Sequence, residues 1–352
     1  MRKDVTYIIA LFCATAITFL SSCGKEAKSE IQLSTLPLTT LKAGKEYVID
    51  LERPRRLLAV QDGFVVFDGK NKNGVVQYYN ETTDSVYYFG RLGNGPDDYT
   101  SPSCYQYGNN VILSSSTEKY SVLSFSSSGI TCENMEQFKN PSHFEGVNFL
   151  SKIDGHTFIV SRTGENQVEI ISDADGNIQP YSFYPFQISD AVNLFSKNNE
   201  VFDATYAFNN ESNLLFIGYK YYPYCMLVDV KSGNILGSLK VNNERASNTY
   251  AITGEGGVEL DNPVLYNTFV CSTKSHMWSL YQGCDRRELK EETSKSEIHK
   301  YALDGQSVER FSIDKSIVNF CVSQDGKYLY ALCFDEELEP TITRFDLQIK
   351  KS

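Results

Sequence analysis

Short runs of apolar residues recur along the chain, and each is bounded by a polar or glycine-containing turn. Six of these runs resemble β-strands, and they read GFVVF at 63, NVILS at 110, HTFIVS at 156, NLLFIGY at 213, HMWSLY at 276 and KYLYALC at 327. Their central residues recur about every 50 residues, which is typical of a repeat architecture. The marker residues are Phe64, Val111, Phe158, Leu215, Trp278 and Leu329.

Each run belongs to a unit of four strand-like segments. The first two segments flank a turn, as in LLAVQDGFVVF and FCVSQDGKYLYAL, where Asp-Gly is a strong hairpin signal. A third and a fourth segment follow, as in VVQYYNETTD and SVYYFG. Six such units predict an all-β fold, a six-bladed β-propeller of four-stranded antiparallel blades spanning residues 36–352. The last unit is one strand short, so we expect an N-terminal strand, KEYVIDL at 45–51, to close the ring.

The N-terminus has the pattern of an export signal. Two basic residues precede an apolar run from Tyr7 to Leu20, which is short for a membrane span. Leu20-Ser-Ser-Cys23 resembles a bacterial lipobox, so residues 1–22 are predicted to be a lipoprotein signal peptide and Cys23 the lipid attachment site. An ordinary signal peptide with an incidental cysteine is the alternative. Residues 23–35 are then a lipidated cysteine and a polar tether, and the lipid anchors the protein to a membrane.

A loop after the first unit carries a family resemblance. The stretch FGRLGNGPDDY, with Gly93-Asn-Gly-Pro-Asp-Asp98-Tyr99, resembles the first-blade loop of the TolB-like six-bladed β-propeller lipoproteins of Bacteroidota. The sequence after Cys23, GKEAK, resembles the surface-export signal of such lipoproteins but lacks its second acidic residue. The resemblance implies an outer-membrane lipoprotein, either exposed at the cell surface or facing the periplasm. Most of this family has no assigned activity.

The same loop also resembles a phosphate-binding loop, because Gly90 and Gly95 are spaced as in GxxxxGK. The position that requires lysine is Pro96, which lacks an N–H, and two aspartates follow it. No helix follows to stabilise a phosphate. The loop therefore argues against a nucleotide ligand, and the net charge of −11 argues against nucleic acid. We expect the glycines to permit positive φ angles in a connection between two blades.

Loops between strands 2 and 3 of a blade, and between consecutive blades, emerge on one face of a propeller. Rigid scaffolds commonly present binding residues on such loops. The candidate ligand-face residues are Arg91, Asp97, Asp98, Tyr221, Tyr222, Tyr224, Arg286 and Arg287. The three tyrosines around Pro223 either form an exposed aromatic cluster for a glycan or protein partner, or cover their own blade.

No catalytic motif is present, and we assign no catalytic residue, cofactor or metal ligand. The four histidines fit no metal-binding or catalytic pattern, and DADGN at 173–177 is better explained by a hairpin than by a calcium loop. Five of the cysteines lie in apolar runs and are predicted to be buried: Cys104, Cys225, Cys271, Cys321 and Cys333. Asp84-Ser85-Val86 resembles a Bacteroidota O-glycosylation site, with Ser85 as the acceptor.

Two functions remain open from the sequence. The first is a non-enzymatic binding or scaffold lipoprotein whose face loops hold a glycan, peptide or protein. The second is a metal-dependent hydrolase or lyase, in which Asp, Glu, Asn or His side chains from separate blades converge on the central channel. Such a ring of ligands leaves no local motif in the sequence.

Overall fold

The computed structural model describes residues 29–115, 118–161, 166–184, 202–242, 250–252, 258–260, 263–285, 288, 296–305, 307–334 and 339–347. Within these ranges the regular secondary structure is almost entirely β-strand, with two short 3-10 helices at Leu33–Thr35 and Pro141–Phe144. None of the helices described has the length and apolar character to cross a membrane.

Six four-stranded antiparallel sheets follow one another along the chain, so the predicted fold class is confirmed. Three N-terminal strands come first: β1 (Ser29–Gln32), β2 (Leu38–Leu41) and β3 (Ala43–Tyr47). Blade 1 contains β4 (Pro54–Val60), β5 (Gly63–Asp68), β6 (Val76–Asn80) and β7 (Ser85–Phe89). Blade 2 contains β8 (Pro102–Tyr107), β9 (Asn110–Ser115), β10 (Lys119–Ser126) and β11 (Gly129–Gln137), and blade 3 contains β12 (Phe149–Asp154), β13 (Thr157–Ser161), β14 (Val168–Ser172) and β15 (Ile178–Tyr181).

The second half of the chain repeats this arrangement. Blade 4 contains β16 (Ala204–Asn209), β17 (Leu214–Tyr219), β18 (Tyr224–Asp229) and β19 (Asn234–Asn242), and a separate hairpin follows with β20 (Tyr250–Ile252) and β21 (Val258–Leu260). Blade 5 contains β22 (Val264–Ser272), β23 (His276–Asp285), β24 (Glu297–Ala302) and β25 (Val308–Ile313). Blade 6 contains β26 (Ile317–Val322), β27 (Tyr328–Phe334) and β28 (Pro340–Asp346) from the C-terminal part of the chain.

The fourth strand of blade 6 comes from the N-terminus, as predicted, but its position is shifted. Strand β3 pairs antiparallel with β28 over residues 43–47 rather than 45–51. Tyr47 is buried, and its ring centroid lies 5.0 Å from that of Phe64 in blade 1. Val48 is fully exposed, so the chain leaves the sheet directly after Tyr47. The inner strands of consecutive blades touch in order and β26 touches β4, which closes the ring.

Two further N-terminal strands extend the neighbouring blades. Strand β1 pairs in parallel with β19 at the outer edge of blade 4, and β2 pairs in parallel with β25 at the outer edge of blade 5. Residues 29–32, which the sequence analysis placed in the polar tether, therefore belong to a sheet. Leu41 at the end of β2 is 1% exposed and packs into the core shared by blades 5 and 6. The N-terminal segment thus lies along three consecutive blades and covers exposed strand edges.

The six marker residues all lie in the second strand of their blades and are 0–2% exposed. These strands are buried on both faces by the adjacent blades, which is why they read as continuous apolar runs rather than as alternating patterns. The Asp-Gly hairpin signal is also confirmed, since β4 and β5 flank Gln61 and Asp62. A Cβ atom on Gly63 would lie 2.0 Å from the carbonyl oxygen of Tyr79, so only glycine fits there.

The prediction that five cysteines are buried is confirmed for four of them. Cys104, Cys225, Cys321 and Cys333 are buried and Cys271 is half-buried. Burial raises the pKa of the Cys104 and Cys225 thiols to about 12, which keeps both protonated near neutral pH. They therefore act as small apolar side chains, as predicted.

Candidate functional site

The inner strands of the six blades enclose a central cavity of about 610 Å³. Every blade contributes to its lining, for example through Leu57 of blade 1, Gln106 of blade 2, Phe149 of blade 3 and Thr268 of blade 5. A cavity of this volume lies within the range of small-molecule sites. The central channel, rather than a face loop, is therefore our candidate ligand site.

Polar contacts link the blades at one end of the channel. At the turns between the first and second strands, the Asn210 side chain of blade 4 accepts a hydrogen bond from the Gly108 N–H of blade 2, at 3.0 Å. The same amide donates to the carbonyl oxygen of Lys152 in blade 3, at 2.8 Å. Gln324 of blade 6 reaches the Gly108 carbonyl oxygen at 3.5 Å. Four blades are thus joined by hydrogen bonds at this end of the channel.

Two arginines lie at the opposite end, where the inner strand of blade 1 begins. Arg55 is the extra residue of a β-bulge in β4, because Pro54 pairs with Asp68 and Arg56 already pairs with Phe67. A bulge changes the direction in which side chains leave a strand. Here both Arg55 and Arg56 line the cavity. The Arg56 guanidinium lies 4.7 Å from the centroid of the Tyr105 ring.

A side chain from blade 6 holds this bulge in place. The Asn319 side-chain oxygen accepts a hydrogen bond from the Leu57 N–H at 3.2 Å, and its amide nitrogen donates to the Arg55 carbonyl oxygen at 3.3 Å. These bonds satisfy backbone groups on both sides of Arg56. Among the described residues, no carboxylate forms a salt bridge with Arg55 or Arg56.

The other charged side chains of the described lining neutralise each other. Lys220, in the loop between β17 and β18, forms a 2.6 Å salt bridge with Asp203. The backbone N–H of Lys220 also donates to the Asp203 carbonyl oxygen at 2.9 Å. The lining therefore has a positive excess from Arg55 and Arg56, although the whole chain has a net charge of −11.

Aromatic side chains form the wall on the side of blades 3 and 4. The ring centroids of Tyr184 and Phe202 are 4.6 Å apart, and those of Phe149 and Tyr206 are 5.8 Å apart. All four side chains line the cavity. Burial raises the pKa of Tyr206, so its hydroxyl stays protonated and neutral.

The loop that carries the family resemblance is held together by one of the predicted site residues. The Asp98 carboxylate lies 3.3 Å from the Arg91 guanidinium and accepts a hydrogen bond from the Gly95 N–H at 3.1 Å. A Cβ on Gly93 or Gly95 would collide with this carboxylate, at 2.3 and 2.8 Å. The expectation of positive φ angles holds for Gly90 alone, and the next two glycines instead make room for Asp98.

This arrangement corrects the role expected for Asp98, since its side chain stabilises its own loop. Asp97 is exposed. Neither aspartate lines the central cavity, and neither does Arg91.

The prediction that the three tyrosines around Pro223 form an exposed cluster is wrong. Tyr221 and Tyr224 are 3% and 7% exposed, and Tyr222 is half-buried. Tyr222 and Tyr224 pack into the apolar core between blades 3 and 4, so the alternative, in which they cover their own blade, is correct. Their apolar rings gain more from this packing than from exposure on the face.

Several other predicted sites are untested. Cys23, Arg286 and Arg287 lie outside the described residues. Ser85 is the first residue of β7, next to Asp84 at a φ of 53°, and its hydroxyl donates to the Thr83 carbonyl oxygen at 3.1 Å. It stays a predicted acceptor for O-glycosylation.

Across the described ranges, no group of three or more His, Cys, Asp or Glu side chains could hold a metal ion. The cavity lining there includes a single carboxylate, Asp203, which is paired with Lys220. The alternative of a metal-dependent hydrolase therefore finds no support in this geometry.

Arg55, Arg56, Asp203 and Lys220 were not among the site residues predicted from the sequence. A signal for two of them was present, because three arginines cluster in RPRR at 53–56 at the start of the first inner strand. That Arg55 and Arg56 line the central cavity depends on closure of the ring, which no local pattern shows.

Comparison with solved structures supports the propeller fold. The chain is similar to a member of the DUF4221 family from Bacteroides vulgatus, with 10% sequence identity over 87% of this chain and 97% of that chain, and a TM-score of 0.53. It is also similar to a luciferin-regenerating enzyme, with 10% identity, 85% and 93% coverage and a TM-score of 0.46. The β-propeller domain of Cps50 (Swd1) from Myceliophteria thermophila gives 10% identity, 88% and 100% coverage and a TM-score of 0.44.

At this level of identity the likeness shows the fold alone. No protein-family model matches the sequence, and no curated protein matches it either.

Proposed function

We propose that this protein is a binding module, and that its ligand occupies the central cavity rather than the face loops. The observation that carries this proposal is the central cavity of about 610 Å³, which is lined by residues from all six blades. A rigid ring holds these residues in fixed positions, so a ligand meets a preformed site. Propellers commonly serve as binding or scaffold modules, and the described lining contains no catalytic constellation.

A cavity-filling variant tests this proposal. Ala204 lines the cavity at the start of β16, and Ala204→Trp would occupy part of the ligand volume. Thr131→Trp, on the exposed outer strand of blade 2, is the matched control. The full chain, purified in detergent, is screened by thermal shift against a library of small metabolites and saccharides.

We expect hits whose binding is lost in Ala204→Trp and retained in Thr131→Trp, with circular dichroism unchanged in both. Hits that bind the Ala204→Trp variant with unchanged affinity would place the site elsewhere and refute the proposal. A library without any hit would also count against it.

We further propose that the module is a lipoprotein anchored to the outer membrane through Cys23, as the TolB-like resemblance implies. Because β1 begins at Ser29, five residues lie between the anchor and blade 4, and the six Cα–Cα steps from Cys23 to Ser29 span at most about 20 Å. The rim of blade 4 would then lie close to the bilayer. Metabolic labelling with an alkyne fatty acid tests this: Cys23→Ser should lose the label and the membrane association, and Cys13→Ser should keep both.

A further inference from the structure

We propose that the central cavity selects an organic anion, whose charged group lies between Arg55 and Arg56 and whose ring or apolar face packs against the aromatic wall. This inference rests on the proposed function and specifies the chemistry of the ligand. It follows from three independent observations: a charge excess, a fixed bulge and the ring order of the blades.

The first observation is the excess of positive charge. The described lining contains three cationic side chains and one carboxylate, and Lys220 is paired with that carboxylate at 2.6 Å. Within the described lining, Arg55 and Arg56 therefore supply a positive charge that no described carboxylate balances, in a chain of net charge −11. Guanidinium groups match the geometry of carboxylate, sulfate and phosphate, because their N–H donors form a planar fork.

The second observation is that the backbone of the bulge and the Arg56 guanidinium are held in place before any ligand arrives. Asn319 binds the backbone on both sides of Arg56, through the Leu57 N–H and the Arg55 carbonyl oxygen. The Tyr105 ring supports the Arg56 guanidinium at 4.7 Å. A preorganised Arg56 loses less conformational entropy on binding than a mobile surface arginine would.

The third observation is the position of the aromatic wall. In a closed ring of six blades, the first blade lies opposite the fourth. Arg55 and Arg56 of blade 1 therefore face the aromatic side chains of blade 4 across the channel. These are Tyr206 and Phe202, and Phe202 lies two residues before the first strand of blade 4. Phe149 and Tyr184 extend this wall toward blade 3. A ligand that spans the cavity therefore meets cations at one side and ring faces at the other. An anionic sugar or an aromatic acid has this amphipathic form.

Matched pairs of probes test the charge preference. The pairs are glucuronate with glucose and benzoate with benzyl alcohol, since each pair shares a ring and differs in its charged group. Glucose 6-phosphate distinguishes a phosphate from a carboxylate preference. Binding to the full chain in detergent is measured by isothermal titration calorimetry at low ionic strength, because salt screens such contacts.

We expect at least one anionic probe to bind tenfold or more tightly than its neutral partner. Arg55→Gln and Arg56→Gln should each reduce that preference at least tenfold, whereas Arg56→Lys should retain part of it. Arg53→Gln is the matched control, because it removes the same charge from the same segment but Arg53 does not line the cavity. It should bind all probes as the unmodified protein does.

The outcomes separate this inference from the proposed function. One outcome is that neutral and anionic probes bind with the same affinity, that Ala204→Trp abolishes this binding, and that Arg55→Gln and Arg56→Gln leave it unchanged. In that case the cavity is a binding site, but the anion preference is refuted. If Arg53→Gln weakens anion binding as much as the other two variants do, the effect is a general one of net charge, and the inference is also refuted. If no probe binds, the inference fails, and the library screen alone decides the proposed function.

Discussion

A partly buried ionic cluster in blade 5 makes the stability of the protein sensitive to acid. Glu297 on β24 forms two hydrogen bonds with Arg310 on β25, at 2.9 and 2.8 Å, and a third with His299 Nε2 at 3.0 Å. Burial alone would raise the pKa of Glu297, but the hydrogen bonds and charges of His299 and Arg310 outweigh it and lower this pKa to about 2. The folded state therefore strongly favours the ionised carboxylate.

The size of the effect follows from the two pKa values. An unfolded glutamate titrates near pH 4.3, so a shift to about 2 corresponds to about 3 kcal/mol of stability. Because the folded pKa is depressed, this contribution is complete above about pH 5 and is lost as the pH falls toward 2.

His299 changes stability in the same direction. It is fully buried, and burial lowers its pKa, so the unfolded chain takes up a proton below about pH 6.5 before the folded chain does. The acid-induced loss of stability should therefore begin near pH 6.5, where His299 contributes, and steepen below about pH 4.5, where Glu297 does.

The free energy of unfolding can be measured between pH 3.5 and 7 by urea unfolding, followed by the fluorescence of Trp278, the single tryptophan. Glu297→Gln should lower the free energy of unfolding at pH 7 by about 3 kcal/mol, because the ionised carboxylate that the folded state favours is removed and Arg310 loses its salt bridge. Below pH 4.3 the gap between the variant and the unmodified protein should narrow by about 1.4 kcal/mol per pH unit.

Glu309→Gln is the control, since Glu309 lies on β25 with a side chain that is 62% exposed and pairs with Lys300 at the surface. It should change stability by less than about 1 kcal/mol and keep the acid dependence of the unmodified protein. An acid dependence of Glu297→Gln that matches the unmodified protein would refute the reasoning, because the depressed pKa would then contribute nothing.

Three further changes test the fold and the surface. Leu41→Ala should cost about 2–5 kcal/mol in urea unfolding if β2 is an integral strand, whereas Leu38→Ala, at an exposed site, should cost under about 1 kcal/mol. Gly63→Ala should destabilise by about 3 kcal/mol or more, because its Cβ would overlap a carbonyl oxygen of β6, whereas Gly155→Ala has open space and should be nearly neutral. Ser85→Ala should remove any glycan mass seen by intact mass spectrometry in the native host, and an unmodified mass in both proteins would refute the acceptor prediction.

The architecture was predictable because each blade repeats a local signal. The second strands, such as the one around Phe158, lie between two neighbouring blades and must be apolar on both faces, so they stand out in the sequence. The missing strand of blade 6 also predicted closure by the N-terminus, although the end of β3 at Tyr47 depends on packing against Phe64 of another blade.

The additional strands β1 and β2 were not predictable in this way. They are short and polar, and their pairing depends on the outer edges of blades 4 and 5, which lie some 200 residues or more away in sequence. The prediction for the tyrosines near Pro223 failed for a related reason.

A group of tyrosines in the sequence fits an exposed binding surface as well as it fits a buried core. Only the position of the neighbouring blade determines that Tyr221 and Tyr224 are buried.

The cavity could not be derived from any local window, and this has a physical cause. A charge pair such as Lys220 and Asp203 is separated by 17 residues, and the aromatic wall comes from a different blade than Arg55 and Arg56. Only closure of the ring places blade 1 opposite blade 4. A void of this size with purely apolar walls would lose dispersion contacts without any compensation. Polar lining residues such as Gln106, Arg55 and Arg56 can instead be hydrated. The polar lining therefore lets the ring keep an open cavity, whereas an apolar channel of the same width would tend to fill with side chains.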